Sequence, residues 1–274
     1  MSVLTDPDID DLVRLAGRLA DATGQAAIPH FRASALVTDN KEGGAGFDPV
    51  TIADRAAEQA VRDILAIERP EDGIFGEEQE RTEGTSGLTW VLDPIDGTRA
   101  FISGLPVWGT LIGLDDGHLG RIGVMDQPFT GERYVGVLRD RGPEAWLEHK
   151  GMQRPLKTRK GVTLAEAVLY TTSPDIFADE ETPVFHRIRS KARMTRYGTD
   201  CYAYCLVALG CVDLVIESGL NAYDIAALIP IIQAAGGVVT DWKGGDCRWG
   251  GQVVAAGSAE LHAEALEMLA VAAR

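Results

Sequence analysis

The stretch Trp90-Val-Leu-Asp-Pro-Ile-Asp-Gly-Thr98 leads an apolar run straight into two carboxylates. The run predicts a strand, and Pro94 after it fixes the backbone and keeps it out of the strand ladder. The chain must then turn, so Asp93 and Asp96 can converge while the carbonyl group of Ile95 faces the same side. Hard cations such as Mg²⁺ bind carboxylate and carbonyl oxygens and leave positions open for water and phosphate. The stretch therefore predicts a magnesium site at the end of a strand.

Gly97 and Thr98 are predicted to open a helix directly after the two carboxylates. The first N–H groups of a helix are unpaired and its dipole favours an anion, so this turn can also hold a phosphate. The alternative is a capped turn in which Asp96 serves only as the helix N-cap. Two more acidic clusters at predicted junctions, Gly76-Glu77-Glu78 and Tyr223-Asp224, favour the metal site over the capped turn.

The rest of the chain alternates between helical and extended patterns. Apolar residues at helical spacing predict a helix over Ile9–Phe31, and Thr51 is predicted to cap a second helix. Short apolar runs between turns predict strands, several of them antiparallel neighbours: Thr89–Leu92, Gly109–Leu114, Gly120–Met125, Arg133–Val137, Ala167–Thr171, Leu214–Glu217 and Gly237–Thr240. Later helices are predicted over Cys201–Leu209, Tyr223–Ala235 and Ala259–Ala272. This order predicts an α/β fold in which helices cover the sheets.

The domain organisation follows from the absence of internal repeats and of low-complexity linkers. We expect one compact domain over residues 1–274. Its N-terminal α+β half, residues 1–150, carries most of the candidate metal ligands. Its C-terminal α/β half, residues 151–274, carries the residues expected on the substrate side.

The overall charge limits the classes of partner. Asp and Glu number 41 against 26 Lys and Arg, which gives a formal net charge of −15. This argues against nucleic acid and membrane as partners, since both favour basic surfaces, whereas bound cations can still attract a small phosphorylated metabolite. The first ten residues lack the basic and apolar regions of a signal peptide, so a cytoplasmic location is expected. The cysteines fit neither a disulfide framework nor a zinc site and are predicted to be buried thiols: Cys201, Cys205, Cys211 and Cys247.

Four motifs, in order along the chain, carry a resemblance to a known family. They are Asp48-Pro-Val-Thr51-Ile-Ala-Asp54, Gly76-Glu77-Glu78, the stretch Trp90–Thr98, and Tyr223-Asp-Ile-Ala-Ala with Ala235-Gly-Gly237. The sequence resembles the inositol monophosphatase superfamily over most of its length. The resemblance implies the layered αβαβα sugar-phosphatase fold, a magnesium-dependent phosphate-monoester hydrolase, a homodimer or larger assembly, and inhibition by lithium.

The resemblance also implies a set of metal ligands. Glu77, Asp93 and the Ile95 carbonyl would hold the first Mg²⁺. Asp93, Asp96 and Asp224 would hold the second, and Glu77 would share a weaker third ion, so that each active site takes two or three ions. Two ions a few ångströms apart can stabilise the attacking and leaving oxygens of an in-line displacement, and no Ser, Cys or His nucleophile is then required.

Catalytic and phosphate-binding roles are implied in the same way. Asp54 and Thr98 would orient and deprotonate the attacking water, with Glu77 completing the catalytic set. Gly97 and Thr98 would contact the substrate phosphate. Lys41, in a Gly-rich stretch that predicts a mobile loop, would correspond to a family lysine near the phosphate.

The choice of substrate depends on the segment Arg196-Tyr-Gly-Thr-Asp200-Cys-Tyr-Ala-Tyr-Cys205. This segment and Tyr223-Asp224 look like the histidinol-phosphate phosphatase branch of the superfamily, and Glu217 matches a substrate-contacting position. Histidinol phosphate carries an ammonium group and an imidazole, so an extra carboxylate at Asp200 is reasonable, whereas a neutral polyol needs none. The alternative role for Asp200 is the N-cap of the following helix.

Other functions stay open at this point. Within the family, the alternatives are inositol-1-monophosphatase and a promiscuous phosphatase for small molecules. A different class is a metal-binding regulatory protein without turnover. That class is disfavoured because a decayed active site normally loses ligands, and here every motif carboxylate is present.

Overall fold

The computed structural model of the chain describes residues 4–33, 38–40 and 49–274. Within these ranges the α-helices are α1 Asp6–Ala27, α2 Ile52–Glu68, α3 Thr98–Ile102, α4 Thr182–Lys191, α5 Asp200–Ala208, α6 Ala222–Ile225, α7 Leu228–Ala234 and α8 Ala259–Leu269. Short 3₁₀ helices lie at Ile28–His30, Leu164–Glu166, Pro174–Ile176 and Ala270–Ala272. Lys41 and most of the loop predicted around it lie outside the described residues.

The strands are β1 Thr38–Asn40, β2 Pro49–Thr51, β3 Gly73–Gly76, β4 Thr89–Asp96, β5 Gly109–Asp115, β6 Gly120–Gln127, β7 Glu132–Val137, β8 Glu144–His149, β9 Met152–Pro155, β10 Val168–Thr171, β11 Met194–Tyr197, β12 Leu214–Asn221, β13 Val238–Thr240 and β14 Gly250–Ala256. They form a β1-β2 pair, a seven-stranded sheet in the order β3-β4-β5-β6-β7-β8-β9, and a five-stranded sheet in the order β11-β10-β12-β14-β13. In the large sheet β3 and β4 are parallel, and the other neighbouring pairs are antiparallel. In the small sheet β10 is parallel to both β11 and β12.

Helices and sheets alternate in five layers. Helices α1 and α2 cover the outer face of the large sheet, where Leu19 packs in the same core as Trp90. Helices α5 and α7 lie between the sheets, in a core that joins Tyr134 of the large sheet to Val253 of the small one. Helices α4 and α8 cover the outer face of the small sheet, around Phe185. The predicted α/β fold with helix-covered sheets is confirmed, and the single compact domain over residues 1–274 stays a prediction.

Two helix predictions need correction, both because of proline. The helix predicted over Ile9–Phe31 begins earlier and ends sooner, as α1, because Pro29 has no N–H to continue the ladder and the chain goes on as a 3₁₀ helix. The helix predicted over Tyr223–Ala235 is two helices, α6 and α7, because Pro230 cannot donate a hydrogen bond to the turn before it. Strands β1, β2, β8, β9, β11 and β14 and helix α4 were not predicted.

The cysteine prediction holds for three of the four residues. Cys201, Cys205 and Cys247 are buried, and burial raises the pKa of each thiol, to about 12 for Cys247. Cys211 is exposed because it lies in the loop between α5 and β12, so its prediction was wrong. Within the described ranges, no helix has both the length and the apolar character needed to cross a bilayer.

Candidate active site

A single cavity of about 300 Å³ collects most of the predicted site residues. It lies at the ends of β3, β4 and β12 and at the first residues of α3, α5 and α6. The predicted residues that line it are Glu77, Asp93, Ile95, Asp96, Gly97, Thr98, Asp200, Glu217 and Asp224. Asp54 lies behind this lining, and Lys41 lies outside the described residues.

The end of β4 is irregular, and this irregularity brings its carboxylates into the cavity. Asp93 and Asp96 both pair with β5, but the register shifts between them. The N–H of Ile95 donates to Asp93 Oδ1 at 3.1 Å, and the Thr98 hydroxyl donates to the Ile95 carbonyl oxygen at 3.1 Å. The bulge therefore turns the strand into α3 within four residues, as the proline-containing motif predicted.

Strand β3 brings Glu77 beside Asp93. Gly76 pairs with Leu92 in the parallel ladder, and the N–H of Glu77 donates to the Leu92 carbonyl at 3.2 Å. The carboxyl groups of Glu77 and Asp93 lie within hydrogen-bond reach of each other. Two strands that end side by side thus place two acidic motifs, separate in sequence, at one point.

Glu58 of α2 holds the segment that carries Glu77. Its buried carboxylate accepts the N–H of Glu78 at 2.7 Å and the Nε–H of Arg62 at 2.8 Å. Gly76 leaves room for it, because a Cβ there would lie 2.2 Å from Glu58 Oε1. The sequence analysis missed Glu58. Its position four residues after Asp54, on the same face of a helix, is the signal that could have found it.

We expect Glu58→Gln to weaken magnesium binding more than it lowers turnover. The amide can keep only one of the two donors, so the backbone beside Glu77 loosens. The magnesium concentration for half-maximal phosphate release should rise roughly 10- to 100-fold, as for other residues that orient metal ligands. The control is Glu68→Gln, at the exposed end of the same helix. This variant should leave the magnesium requirement and kcat unchanged. A loss of kcat at saturating magnesium with an unchanged magnesium requirement would contradict this role.

Three carboxylates form the centre of the cavity. Asp93, Asp96 and Asp224 each present one oxygen, and these oxygens lie within 4.8 Å of one another. Asp224 is held by a capping box, in which the N–H of Asn221 donates to its Oδ2 at 2.6 Å. Burial raises the pKa of Asp93 well above its ordinary value, and the neighbouring carboxylates, Glu77 foremost, raise it further. Burial and nearby carboxylates also raise the pKa of Asp96. A cluster of buried carboxylates of this kind is stabilised by bound cations, which favour the ionised form of each group.

Asp54 has one carboxylate oxygen in use and one without a partner. It lies at the third position of α2, where its Oδ2 accepts the N–H of Thr51 at 2.8 Å and the hydroxyl of Thr51 at 2.5 Å. Its Oδ1 is buried and has no hydrogen-bond partner within the described part of the chain. Burial raises the pKa of Asp54 against the opposing bonds from Thr51, and Glu77 adds to the increase. A bound water or cation would satisfy such an acceptor, so the site fits magnesium. The pairing of Asp54 with Thr98 stays a prediction.

Asp200 does not cap α5. The N-cap is Thr199, and Asp200 is the first helical residue, with a φ of +40° that few non-glycine residues adopt. The N–H of Cys201 is capped instead by Asp96, whose Oδ2 accepts it at 2.7 Å. The Asp200 carboxylate lies against the turn after β4, because a Cβ on Gly97 would lie 3.1 Å from its Oδ2. The N-cap alternative is therefore wrong, and the strained backbone marks a functional candidate.

Glu217 lies on β12 at the same side of the cavity. Its side chain is buried, and its Oε1 accepts the N–H of Thr172 at 2.6 Å. Burial raises the pKa of Glu217 to about 8, so it holds a proton at neutral pH unless a cation compensates its charge. Burial also raises the pKa of Asp200, while a hydrogen bond to Thr172 and the Arg99 guanidinium oppose the shift.

Arg99 and Thr172 are among the cavity residues that were not predicted as site residues. Arg99 directly follows Gly97 and Thr98, the turn that was predicted to hold a phosphate. Its position next to that motif could have indicated it as a site residue. Thr172 follows directly after β10, and residues at strand ends commonly face a site in sheets that contain parallel strands.

The fold and the site together define the class of αβαβα sugar phosphatases that use carboxylate-bound metal ions. The sequence profile of the inositol monophosphatase family matches residues 8–273. The bifunctional phosphatase IMPL2 of Arabidopsis thaliana, a chloroplast protein, is 41% identical over 98% of this chain and 78% of its own length. A histidinol-phosphatase of Mycobacterium tuberculosis is 35% identical over 95% of this chain and 98% of its own length. A solved structure of an inositol monophosphatase from Zymomonas mobilis has a TM-score of 0.81 and 46% identity, and the match covers 95% of this chain and 98% of that one.

The chain belongs to the inositol monophosphatase family. It is accordingly a phosphatase, and the family is metal-dependent, typically with Mg²⁺. The resemblance and the fold class inferred from sequence are both confirmed.

Proposed function

We propose that this protein hydrolyses L-histidinol phosphate to L-histidinol and phosphate, a step of histidine biosynthesis, with Mg²⁺ as its cofactor. The observation that carries the proposal is a second pair of carboxylates, Asp200 and Glu217, in the same cavity as the candidate metal ligands. The leaving group of this substrate has an ammonium group and an imidazole, both of which bind favourably to carboxylates. The histidinol-phosphatase of Mycobacterium tuberculosis, as a relative, supports the same substrate.

The charge of the cavity favours a cationic leaving group over a neutral one. Among the described residues that line it, Arg99 is the one cation, against six carboxylates. Metal ions would compensate Glu77 and the three central aspartates. Asp200 and Glu217 would remain as acids beside them, where a neutral polyol adds no positive charge to compensate them.

We assign the metal ligands as the resemblance implies. Glu77, Asp93 and the Ile95 carbonyl would hold one Mg²⁺, while Asp93, Asp96 and Asp224 would hold a second, and Glu77 would share a third. Such ions, when bound, stabilise the developing charge on the attacking and leaving oxygens and make water a better nucleophile.

The residues of the chain supply positioning and proton transfer. The Oδ1 of Asp54, which has no hydrogen-bond partner among the described residues, is the acceptor for the proton of the attacking water, and the Thr98 hydroxyl orients that water. The N–H groups of Gly97 and Thr98, at the turn into α3, are expected to donate to the phosphate oxygens. The Asp200 and Glu217 carboxylates then hold the leaving group.

The alternatives within the family are inositol-1-monophosphatase and a promiscuous phosphatase for small molecules. The similarity to the Zymomonas mobilis protein, at 46% identity, favours the first of them. The regulatory protein without turnover is the alternative from a different class. The intact set of cavity carboxylates speaks against it.

The test is phosphate release from histidinol phosphate, inositol 1-phosphate and fructose 1,6-bisphosphate, with and without Mg²⁺. The proposal expects the highest kcat/KM for histidinol phosphate and no activity after EDTA, with recovery on adding Mg²⁺. A higher kcat/KM for inositol 1-phosphate would favour the alternative, and similar values for all three would favour promiscuity. No release from any substrate would favour the regulatory protein.

We expect Asp200→Asn to impair histidinol phosphate hydrolysis selectively. Asn also tolerates the left-handed backbone at this position, so the change removes the charge with little added strain. One charge-assisted contact is worth about 1.5–3 kcal/mol, so kcat/KM for histidinol phosphate should fall roughly 10- to 150-fold. Glycerol phosphate, which lacks a cation, should be hydrolysed almost as before.

The control for this variant is Asp175→Asn, at an exposed aspartate outside the cavity lining, which should affect neither substrate. Equal losses on both substrates with Asp200→Asn would assign Asp200 to the structure of the site. A bound histidinol whose nitrogens lie beyond hydrogen-bond reach of Asp200, with no bridging water, would also contradict recognition.

Assembly and location stay proposals. We propose a homodimer that acts in the cytoplasm on a small phosphorylated metabolite, with no nucleic-acid or membrane partner. Light scattering and fractionation would test the first two points. Expression of residues 1–150 alone would test whether residues 1–274 form one domain, since most of the central core comes from beyond residue 150.

A further inference from the structure

Thr172 holds Glu217 and the segment just before Asp200 from a single position. Its N–H donates to Glu217 Oε1 at 2.6 Å. Its carbonyl accepts the N–H of Gly198 at 2.9 Å, two residues before Asp200. A hydrogen bond from its side chain opposes the burial that raises the pKa of Asp200 and of Glu217. One residue at the end of β10 therefore joins β12 to the loop that leads into α5.

This arrangement fixes the distance between two groups that would otherwise separate. Asp200 and Glu217 come from different segments, and when both are ionised they carry like charges, so repulsion favours moving them apart. The Thr172 hydroxyl has one proton and can donate to either carboxylate, while its backbone holds both segments. A ligand with two cationic or N–H donor groups then meets two acceptors at a preset spacing, which lowers the cost of binding.

We propose that Thr172 is a positioning residue that sets the spacing of Asp200 and Glu217 and thereby the selectivity for leaving groups with two nitrogen donors. The inference rests on the proposed function, because it concerns the same substrate side of the cavity. The competing explanation is that Thr172 only closes the end of β10. In that case its hydroxyl would matter equally for every substrate.

The variant that separates these explanations is Thr172→Val. Valine keeps the side-chain shape and the backbone contact with Glu217, and it removes the hydroxyl. We expect kcat/KM for histidinol phosphate to fall about 10-fold, mostly through KM, and that for glycerol phosphate to change by less than about twofold. Thr172→Ser, which restores the hydroxyl, should recover most of the loss, and Thr172→Ala provides the same deletion if the valine variant does not fold.

A double-mutant cycle tests whether Thr172 acts through Asp200. In the Asp200→Asn background, Thr172→Val should cost less than about twofold on histidinol phosphate, because the two residues form one unit. A full additional loss there, or equal losses on both substrates in the single variant, would overturn the inference. If the wild type prefers histidinol phosphate and Thr172→Val leaves that preference intact, the inference is overturned while the proposed function stands. A wild type without any preference for histidinol phosphate over glycerol phosphate overturns the proposed function, and the inference with it.

Discussion

Asp93→Asn is expected to remove nearly all phosphate release while the protein stays folded. Asp93 is the residue assigned to both metal ions, and it is buried at the centre of the carboxylate cluster. Asparagine retains an oxygen that can accept the N–H of Ile95, so the bulge at the end of β4 survives. Loss of the shared ligand should lower kcat/KM by at least roughly 10³-fold, about 4 kcal/mol of transition-state stabilisation.

The melting temperature of this variant should not fall with its activity. Without metal, the Asp93 carboxylate adds to a cluster in which burial and like charges already raise the pKa of its members. Neutralising Asp93 relieves that repulsion, so the melting temperature without Mg²⁺ should stay the same or rise. The increase in melting temperature on adding Mg²⁺ should disappear, because that increase measures binding to the folded state.

Asp126→Asn is a matched control for the thermal measurement. Asp126 is another buried aspartate of the large sheet, but its Oδ1 accepts a bond from Arg133 Nε at 2.7 Å outside the cavity lining. Its loss should lower the melting temperature and leave the response to Mg²⁺ intact. If Asp93→Asn keeps its activity, or if Mg²⁺ still raises its melting temperature as in the wild type, Asp93 does not share two ions.

The parts of the fold that the sequence predicted are those with a strong local period. The strands from β4 to β7 are apolar and bounded by turns, and α1 and α8 show helical spacing. Strand β9 could not be recognised because all its residues, Met152–Pro155, are exposed and show no alternation. The order of strands in the two sheets depends on contacts between distant segments, for which a single sequence carries no local signal. The break before Pro230, by contrast, could have been predicted from the proline itself.

The site residues divide in the same way, into those with a local sequence signal and those that depend on distant contacts. The residues inside motifs were predicted, because strand, turn and carboxylates lie within nine residues. Thr172 and Glu58 were missed because their importance comes from what they touch across the fold, Glu217 in one case and the Glu78 backbone in the other. The alternative for Asp200 as a cap failed for a related reason: Asp96, more than a hundred residues earlier, caps that helix from another layer.

Asp54→Asn is expected to lower kcat by about 10²–10⁴-fold, the usual range for loss of a general base. The two oxygens of the Asp54 carboxylate have different roles. Oδ2 serves the capping box with Thr51, and Oδ1 is the buried acceptor without a partner in the described part of the chain. Asparagine keeps an oxygen for the cap and replaces the other by an NH₂ group, which cannot take a proton from water. The fold of α2 should therefore persist while the proton acceptor is lost.

Thr98→Ala should lower kcat within the same range, because it removes the hydroxyl that is expected to orient the water. Thr98→Ser keeps that hydroxyl and its bond to the Ile95 carbonyl, so most of the activity should return. The measurements are kcat at saturating Mg²⁺, the magnesium requirement, and the melting temperature of each variant. Because neither residue is assigned as a main ligand, the magnesium requirement should change less than kcat. If both Asp54→Asn and Thr98→Ala bind Mg²⁺ poorly but regain wild-type kcat at saturating metal, the pair supports the metal site and does not activate water.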